Sequence, residues 1–202
     1  MKLPMQLTVL RIALVPLFFV LLAVMHPPAV GWAIMVFAVA AASDWWDGHI
    51  ARKWGLVTPL GAFLDPLADK LLTSAAFVAF AWTGIIPWWM TIVVLARDLF
   101  LTLFRVRADA VHLPLTTSFF AKVKTFAQMT FILLMLAALF SVGVNFGTVL
   151  TSISRAYLQS DVPFWLMGIV TLLTFASAVM YAYDNWAVVR SLWLRRTRQE
   201  TV

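Results

Sequence analysis

"DWWDGHIARKWGLVTPLGAFLDPLADK", from Asp44 to Lys70, sets the carboxylates of Asp44, Asp47, Asp65 and Asp69 close together in a chain that is 63% hydrophobic. An ionised side chain at the centre of a bilayer costs about 2.5–3.5 kcal/mol on insertion scales, so such residues are rare unless paired or functional. The surrounding composition decides the setting. A mean hydropathy of +0.92 and a charged fraction of only 12% exclude an ordinary soluble domain. Apolar runs long enough for a helix to cross a bilayer fall at about 7–25, 29–48, 67–86, 88–107, 121–141 and 162–186. The expected fold is therefore all-α: a polytopic integral membrane protein with six transmembrane helices, one membrane-embedded domain over residues 1–202.

The breaks and charges orient these spans. "HPP" at His26–Pro28 and "GIIP" at Gly84–Pro87 are turn signals between successive runs. Of 15 Lys and Arg residues, only Arg155 falls on the side that those breaks and the 141–161 connection define as outer. Nearly all the others lie in the N-terminal stretch, the 49–70 and 105–124 connections and the tail. The positive-inside rule then places both termini in the cytoplasm, in a multi-pass protein of the cell inner (cytoplasmic) membrane. The net charge of +6 follows from the same bias and does not call for nucleic acid. The first run is long for a secretory signal and lacks a small-residue cleavage site, so it reads as a retained helix. With no cysteine, disulfides, thiolate zinc sites and a cysteine nucleophile are excluded.

The acids fall at the cytoplasmic ends of consecutive spans. At helical spacing Asp44 and Asp47 are surface neighbours, with Cβ atoms about 5–6 Å apart. Gly48 and Ala51 share their face, with Arg52 at its edge. Asp65 precedes Pro66 as an N-cap precedes a first-turn proline, and Asp69 follows four residues on. Capping accounts for Asp65 alone. Four like charges at one depth repel unless a cation neutralises them. All-oxygen ligation without His or Cys suits Mg²⁺ or Mn²⁺, and four carboxylates suit two ions. Paired metals favour in-line displacement at phosphorus, and Arg52 offers a fixed positive fork for a phosphate. The residues thus point to phosphoryl transfer at the cytoplasmic membrane surface. The rival reading is an ion or proton transporter, since intramembrane acids also mark ion pathways. Its usual signs, inverted repeats and broken helices, are missing from the sequence.

Read with its gaps, the stretch is Asp44-x2-Asp47-Gly48-x2-Ala51-Arg52-x8-Gly61-x3-Asp65-x3-Asp69. It resembles the signature of the CDP-alcohol phosphatidyltransferases, with every fixed position and both gap lengths matched. The resemblance implies displacement of CMP from CDP-diacylglycerol by an alcohol. It implies that the four acids hold two divalent ions and that Asp69 also serves as the catalytic base. It assigns Gly48, Ala51, Arg52 and Gly61 to the nucleotide and diphosphate, and implies a homodimer. "LTVLRIALVP" (Leu7–Pro16), "ARDLFLTLFR" (Ala96–Arg105) and "KVKTFAQM" (Lys122–Met129) resemble a bacterial branch of the family. The first of these adds Thr8 and Arg11 as candidates, although Met5 and Gln6 stand where many members carry Asn.

Arg97, Arg105, Lys122 and Lys124 form a second candidate site, for an acceptor that brings its own phosphate. Arg grips phosphate by paired hydrogen bonds and Lys adds a point charge. Glycerol 3-phosphate, inositol phosphate and phosphatidylglycerol all qualify, and the resemblance of the last two stretches favours glycerol 3-phosphate. Asp98, next to Arg97, reads as an internal partner for the bundle's cations, and Arg107 as a product of positive-inside bias.

Overall fold

Among the described residues, proline and glycine punctuate a bundle of seven helices. A computed structural model describes the backbone of residues 3–54, 59–110, 119–145 and 147–186, and the side chains of 9–43, 70–106, 119–145, 147 and 149–186. The helices are α1 (Leu3–Ala23), α2 (Pro27–Trp54), α3 (Pro59–Trp82), α4 (Trp88–Ala110), α5 (Phe119–Val144), α6 (Thr148–Gln159) and α7 (Val162–Asp184). Among the described residues there is no strand. The expected all-α class holds. By length and composition α5 and α7 are fit to cross a membrane, while shorter apolar stretches occupy Val9–Ala23, Pro27–Ser43 and Lys70–Trp82.

The two breaks read from the sequence stop helices as glycine and proline dictate. α3 ends in a Schellman motif: Ile85 N–H donates to Phe80 O at 3.0 Å and Gly84 N–H to Ala81 O at 3.1 Å. Gly84 takes φ 76°, a left-handed conformation that glycine adopts without strain. α2 starts on Pro27, whose missing N–H is no loss in a first turn. The same logic corrects one expectation. α3 starts on Pro59, so Asp65 and Pro66 lie inside the helix instead of at its N-terminus. A second proline, Pro59, supplies the start that Pro66 was expected to supply.

The segment 141–161, expected as an outer connection, contains the 12-residue α6. Thr151 and Ser154 are buried, with Thr151 Oγ1 donating to Ser141 O at 3.2 Å, whereas Val149, Leu150 and Ile153 are exposed beside Ser152 and Arg155. Apolar side chains on the outer face suit an apolar surrounding. Leu172, Phe175, Phe126 and Trp32 likewise leave more than half their surface outside the bundle.

Inside, α1 packs on α2 and α3, α4 on α3 and α7, and α5 on α2, α6 and α7. Phe131 joins α5 to α3, stacked on Phe77 at 6.0 Å and edge-on to Phe80 at 6.2 Å. Ala33, Ala40, Ala76 and Ala79 are fully buried and let the backbones approach. The tightest approach joins α5 to the start of α2, where a Cβ on Gly143 would lie 3.2 Å from Pro27 Cα. Gly143→Val should cost about 1–3 kcal/mol by overpacking. It should lower the thermal midpoint of the detergent-solubilised protein; an unchanged midpoint would show that this contact yields freely.

Candidate functional site

Four of the described cations converge where α3, α4 and α5 surround a cavity of about 560 Å³. Lys70 from α3, Arg97 and Arg105 from α4 and Lys122 from α5 line it, with the Thr102 and Thr125 side chains between them. Asp98 is the carboxylate in its wall. Four cations around one acid make a site for an anion. Lys70 directly follows Asp69 in the chain, so this cavity begins one residue beyond the acidic signature.

The wall is held by a buried charge cluster. Asp98 Oδ1 accepts hydrogen bonds from Lys124 Nζ and from Arg97 Nη1, the latter at 3.0 Å. Gln128 Nε2 donates to Asp98 Oδ2 at 3.4 Å, and Arg97 Nη2 donates to Ser177 Oγ at 2.8 Å. Arg97 is thus held by its neighbour on α4 and by α7. Asp98 in turn joins α4 to Lys124 and Gln128 on α5. Lys124 is only 1% exposed and does not line the cavity. Arg105 lies over the ring of Tyr181, its guanidinium carbon 5.4 Å from the ring centroid, a cation–π arrangement.

Of the four residues read as a phosphate cluster, Arg97, Arg105 and Lys122 therefore meet at one cavity, while Lys124 lies behind it as a partner of Asp98. The pairing expected for Asp98 is present. Lys70 joins the group although the sequence reading passed over it. Its signal was its place beside Asp69. Tyr181 was missed because nothing in "MYAYD" distinguishes a tyrosine under an arginine from one in an aromatic belt.

Asp44, Asp47, Gly48, Ala51 and Arg52 fall on the last turns of α2, and Gly61, Asp65 and Asp69 on α3. Their side chains, with those of Thr8 and Arg107, lie outside the described residues. Arg11, on α1, is 1% exposed.

Residues 1–176 match the model of the CDP-alcohol phosphatidyltransferase family. The chain belongs to that family. It is similar to CDP-diacylglycerol–glycerol-3-phosphate 3-phosphatidyltransferase of Bacillus subtilis (strain 168), 30% identical over 94% of this chain and 98% of that one. The enzyme of the same name from Yersinia pestis (strain Pestoides F) is 35% identical, with 93% and 96% covered. Cardiolipin synthase (CMP-forming) of Streptomyces coelicolor is 36% identical over 64% of this chain and 62% of its own length. In this family member the apolar core and the cation-lined cavity meet at Asp98, which the cluster makes structural. Asp98→Ala would leave Lys124 buried without its carboxylate, at a cost of about 3–5 kcal/mol. The thermal midpoint should fall far more than for Lys122→Ala at the exposed rim. The paired Asp98→Leu, Lys124→Met protein should regain much of that loss, because it buries no charge at this point. Equal midpoints for Asp98→Ala and Lys122→Ala would contradict the assignment.

Proposed function

We propose that this chain is a multi-pass membrane enzyme, a single domain over residues 1–202, that transfers the phosphatidyl group of CDP-diacylglycerol to glycerol 3-phosphate and releases CMP. The observation that carries the reading is the cavity lined by Lys70, Arg97, Arg105 and Lys122, which starts one residue beyond Asp69. Relatives named for glycerol 3-phosphate and covering almost the whole chain support the same acceptor. A neutral alcohol such as free inositol or serine brings no opposite charge to this lining, whereas a phosphate dianion does.

In the proposed reaction a free hydroxyl of glycerol 3-phosphate attacks the phosphatidyl phosphorus. A new O–P bond forms and the bond from that phosphorus to CMP breaks. The hydroxyl proton passes to the Asp69 carboxylate. Arg105, Lys122 and Lys70 hold the acceptor phosphate, and Arg97, braced by Asp98 and Ser177, keeps a fixed positive wall beside it. Gly48, Ala51, Arg52 and Gly61 take the nucleotide and diphosphate.

Asp44, Asp47, Asp65 and Asp69, carried on the consecutive helices α2 and α3, would hold two divalent ions. An oxygen-only donor set without sulfur or imidazole fits Mg²⁺ or Mn²⁺. When bound, such ions neutralise diphosphate charge as Lewis acids. Six crossings, both termini and the active site on the cytoplasmic side, and a homodimer complete the proposal. Charge asymmetry supports the orientation.

An acceptor screen with CDP-diacylglycerol tests the reading. Glycerol 3-phosphate should release CMP fastest; faster release with phosphatidylglycerol, the acceptor of a lipid-joining relative, or with inositol phosphate would overturn the assignment within the family. Arg105→Ala and Lys122→Ala should each raise KM for glycerol 3-phosphate about 10–100-fold, the worth of one charge-assisted hydrogen bond. KM for CDP-diacylglycerol should stay within a few-fold. Asp69→Asn should abolish turnover while CDP-diacylglycerol still binds, and chelator should abolish turnover until Mg²⁺ or Mn²⁺ is restored. CMP release that persists in chelator would remove the two-ion site from the mechanism.

A further inference from the structure

α6 has no part in the proposed reaction, and it sits at the end of the bundle opposite the acidic signature. α2 carries the signature on its last turns and begins at Pro27. Gly143, near the end of α5, packs against that proline. α6 follows α5 after a short break and leads through Ser160 and Asp161 into α7. Trp32 near the start of α2, Trp88 and Trp89 at the start of α4 and Trp165 at the start of α7 are exposed at this same end. Tryptophan gathers where a membrane meets water, so these rings mark the depth of a bilayer surface. With 12 residues, α6 is about 18 Å long, too short to cross a hydrocarbon core of about 30 Å.

Helical spacing divides α6 into three sectors. Thr151 and Ser154 face the bundle. The Thr151 hydroxyl donates to Ser141 O at 3.2 Å and the Tyr157 hydroxyl to Met135 Sδ at 3.5 Å, so both tie the helix to α5. The outward side splits in two. Val149, Leu150 and Ile153 lie together on one exposed flank. Ser152, Arg155 and Gln159 lie together on the other. Arg155 has no ion-pair partner among the described residues, and it is the cation that charge asymmetry leaves on the outer side. A connecting helix surrounded by water would gain nothing from a continuous apolar flank, and one sunk wholly in hydrocarbon would gain nothing from a polar flank with an unpaired arginine. An apolar flank and a cationic polar flank side by side are the pattern of a helix held at an apolar–aqueous boundary. Lipid acyl chains cover the first, and lipid phosphates offer Arg155 a charge-assisted partner.

We propose that α6 lies in the outer surface of the bilayer, with its Val149–Leu150–Ile153 flank among lipid acyl chains and its Ser152–Arg155–Gln159 flank among phosphate headgroups and water. The partner is the phospholipid surface itself. This rests on the reading of the chain as a multi-pass membrane protein with this end outward. It adds that the connection between α5 and α7 is a lipid-bound element and not a solvated loop. Because Thr151 and Tyr157 tie α6 to α5, an α6 anchored in the surface fixes the depth of α5 as well.

The chain has no cysteine, so single spin labels can be placed without background. Full-length protein carrying Val149→Cys, Ile153→Cys, Ser152→Cys or Gln159→Cys, each with a nitroxide, is reconstituted into vesicles of phosphatidylethanolamine and phosphatidylglycerol. Power saturation then reads collisions with oxygen, which concentrates in hydrocarbon, and with a neutral nickel chelate, which stays in water. Labels at 149 and 153 should meet the nickel chelate at least about 5-fold less than those at 152 and 159, as a flank sunk about 5–10 Å into the headgroup and acyl boundary requires. They should also meet oxygen more. Leu133→Cys on α5 and Leu172→Cys on α7, both exposed, are the span controls. Free access of the nickel chelate to these two would end the membrane reading, and the proposal with it. With the controls in hydrocarbon, equal access of the chelate to all four α6 labels leaves the membrane reading standing and overturns the proposal alone. Shielding of 149 and 153 from both reagents, with dipolar broadening between labels, would give the flank to a second copy of the chain and overturn it too. In intact cells a membrane-impermeant thiol reagent should modify Ser152→Cys and Gln159→Cys; modification only after the cells are opened would overturn the outer placement.

Discussion

A carboxylate on α4 holds this bundle's interior charge in place. Asp98, 6% exposed, takes hydrogen bonds from Lys124 and Gln128 on α5 and from Arg97 beside it. Arg97 then reaches Ser177 on α7. In an apolar surrounding, helices gain little from hiding hydrocarbon from hydrocarbon, and polar contacts of about 0.6–2 kcal/mol each carry more of the specificity. α4 packs its apolar surface on α3 and α7. Between α4 and α5 lies the cavity, and the Asp98–Lys124 pair spans the gap that packing leaves there. The hollow can therefore stay open without the two helices separating.

This arrangement divides the cations by task. Lys124 and one arm of Arg97 spend their charge on Asp98. Arg105 and Lys122 line the cavity outside the Asp98 cluster. Were every cation free, the empty cavity would concentrate like charge in a poorly solvated place, at a cost that rises as the dielectric falls. With one acid in the wall, the repulsion is reduced while the excess stays positive. The acceptor phosphate proposed for this cavity would meet a site whose shape is maintained by residues that need not touch it.

The sequence displayed this structure unevenly, for identifiable reasons. Local punctuation was legible: Gly84 and Pro27 act within a few residues of themselves, and both breaks lie where they were expected. The acidic signature was legible because its spacing is specific. The start of α3 was misplaced because Pro59 and Pro66 satisfy the same first-turn rule, and propensity alone does not choose between them. α6 escaped notice because polar and apolar residues mix on its faces, with Thr151 and Ser154 buried while Val149, Leu150 and Ile153 are exposed. Helical spacing put Lys122 and Lys124 near each other, yet two residues apart on a helix means different faces. Lys122 lies at the rim and Lys124 in the interior. Which of them met the acid on α4 was a question of tertiary depth, and no local pattern carries it.

Arg97 lines both the cation cavity and an apolar hollow between α4 and α7. Its terminal nitrogens are fixed by Asp98 on one side and Ser177 on the other, which leaves the guanidinium plane little freedom to turn. Lysine at this position would keep the charge but lose the fork, since an ammonium offers three rotating donors in place of a planar pair. The orientation of this guanidinium is thus set by Asp98, and through Asp98 by Lys124 deep in α5.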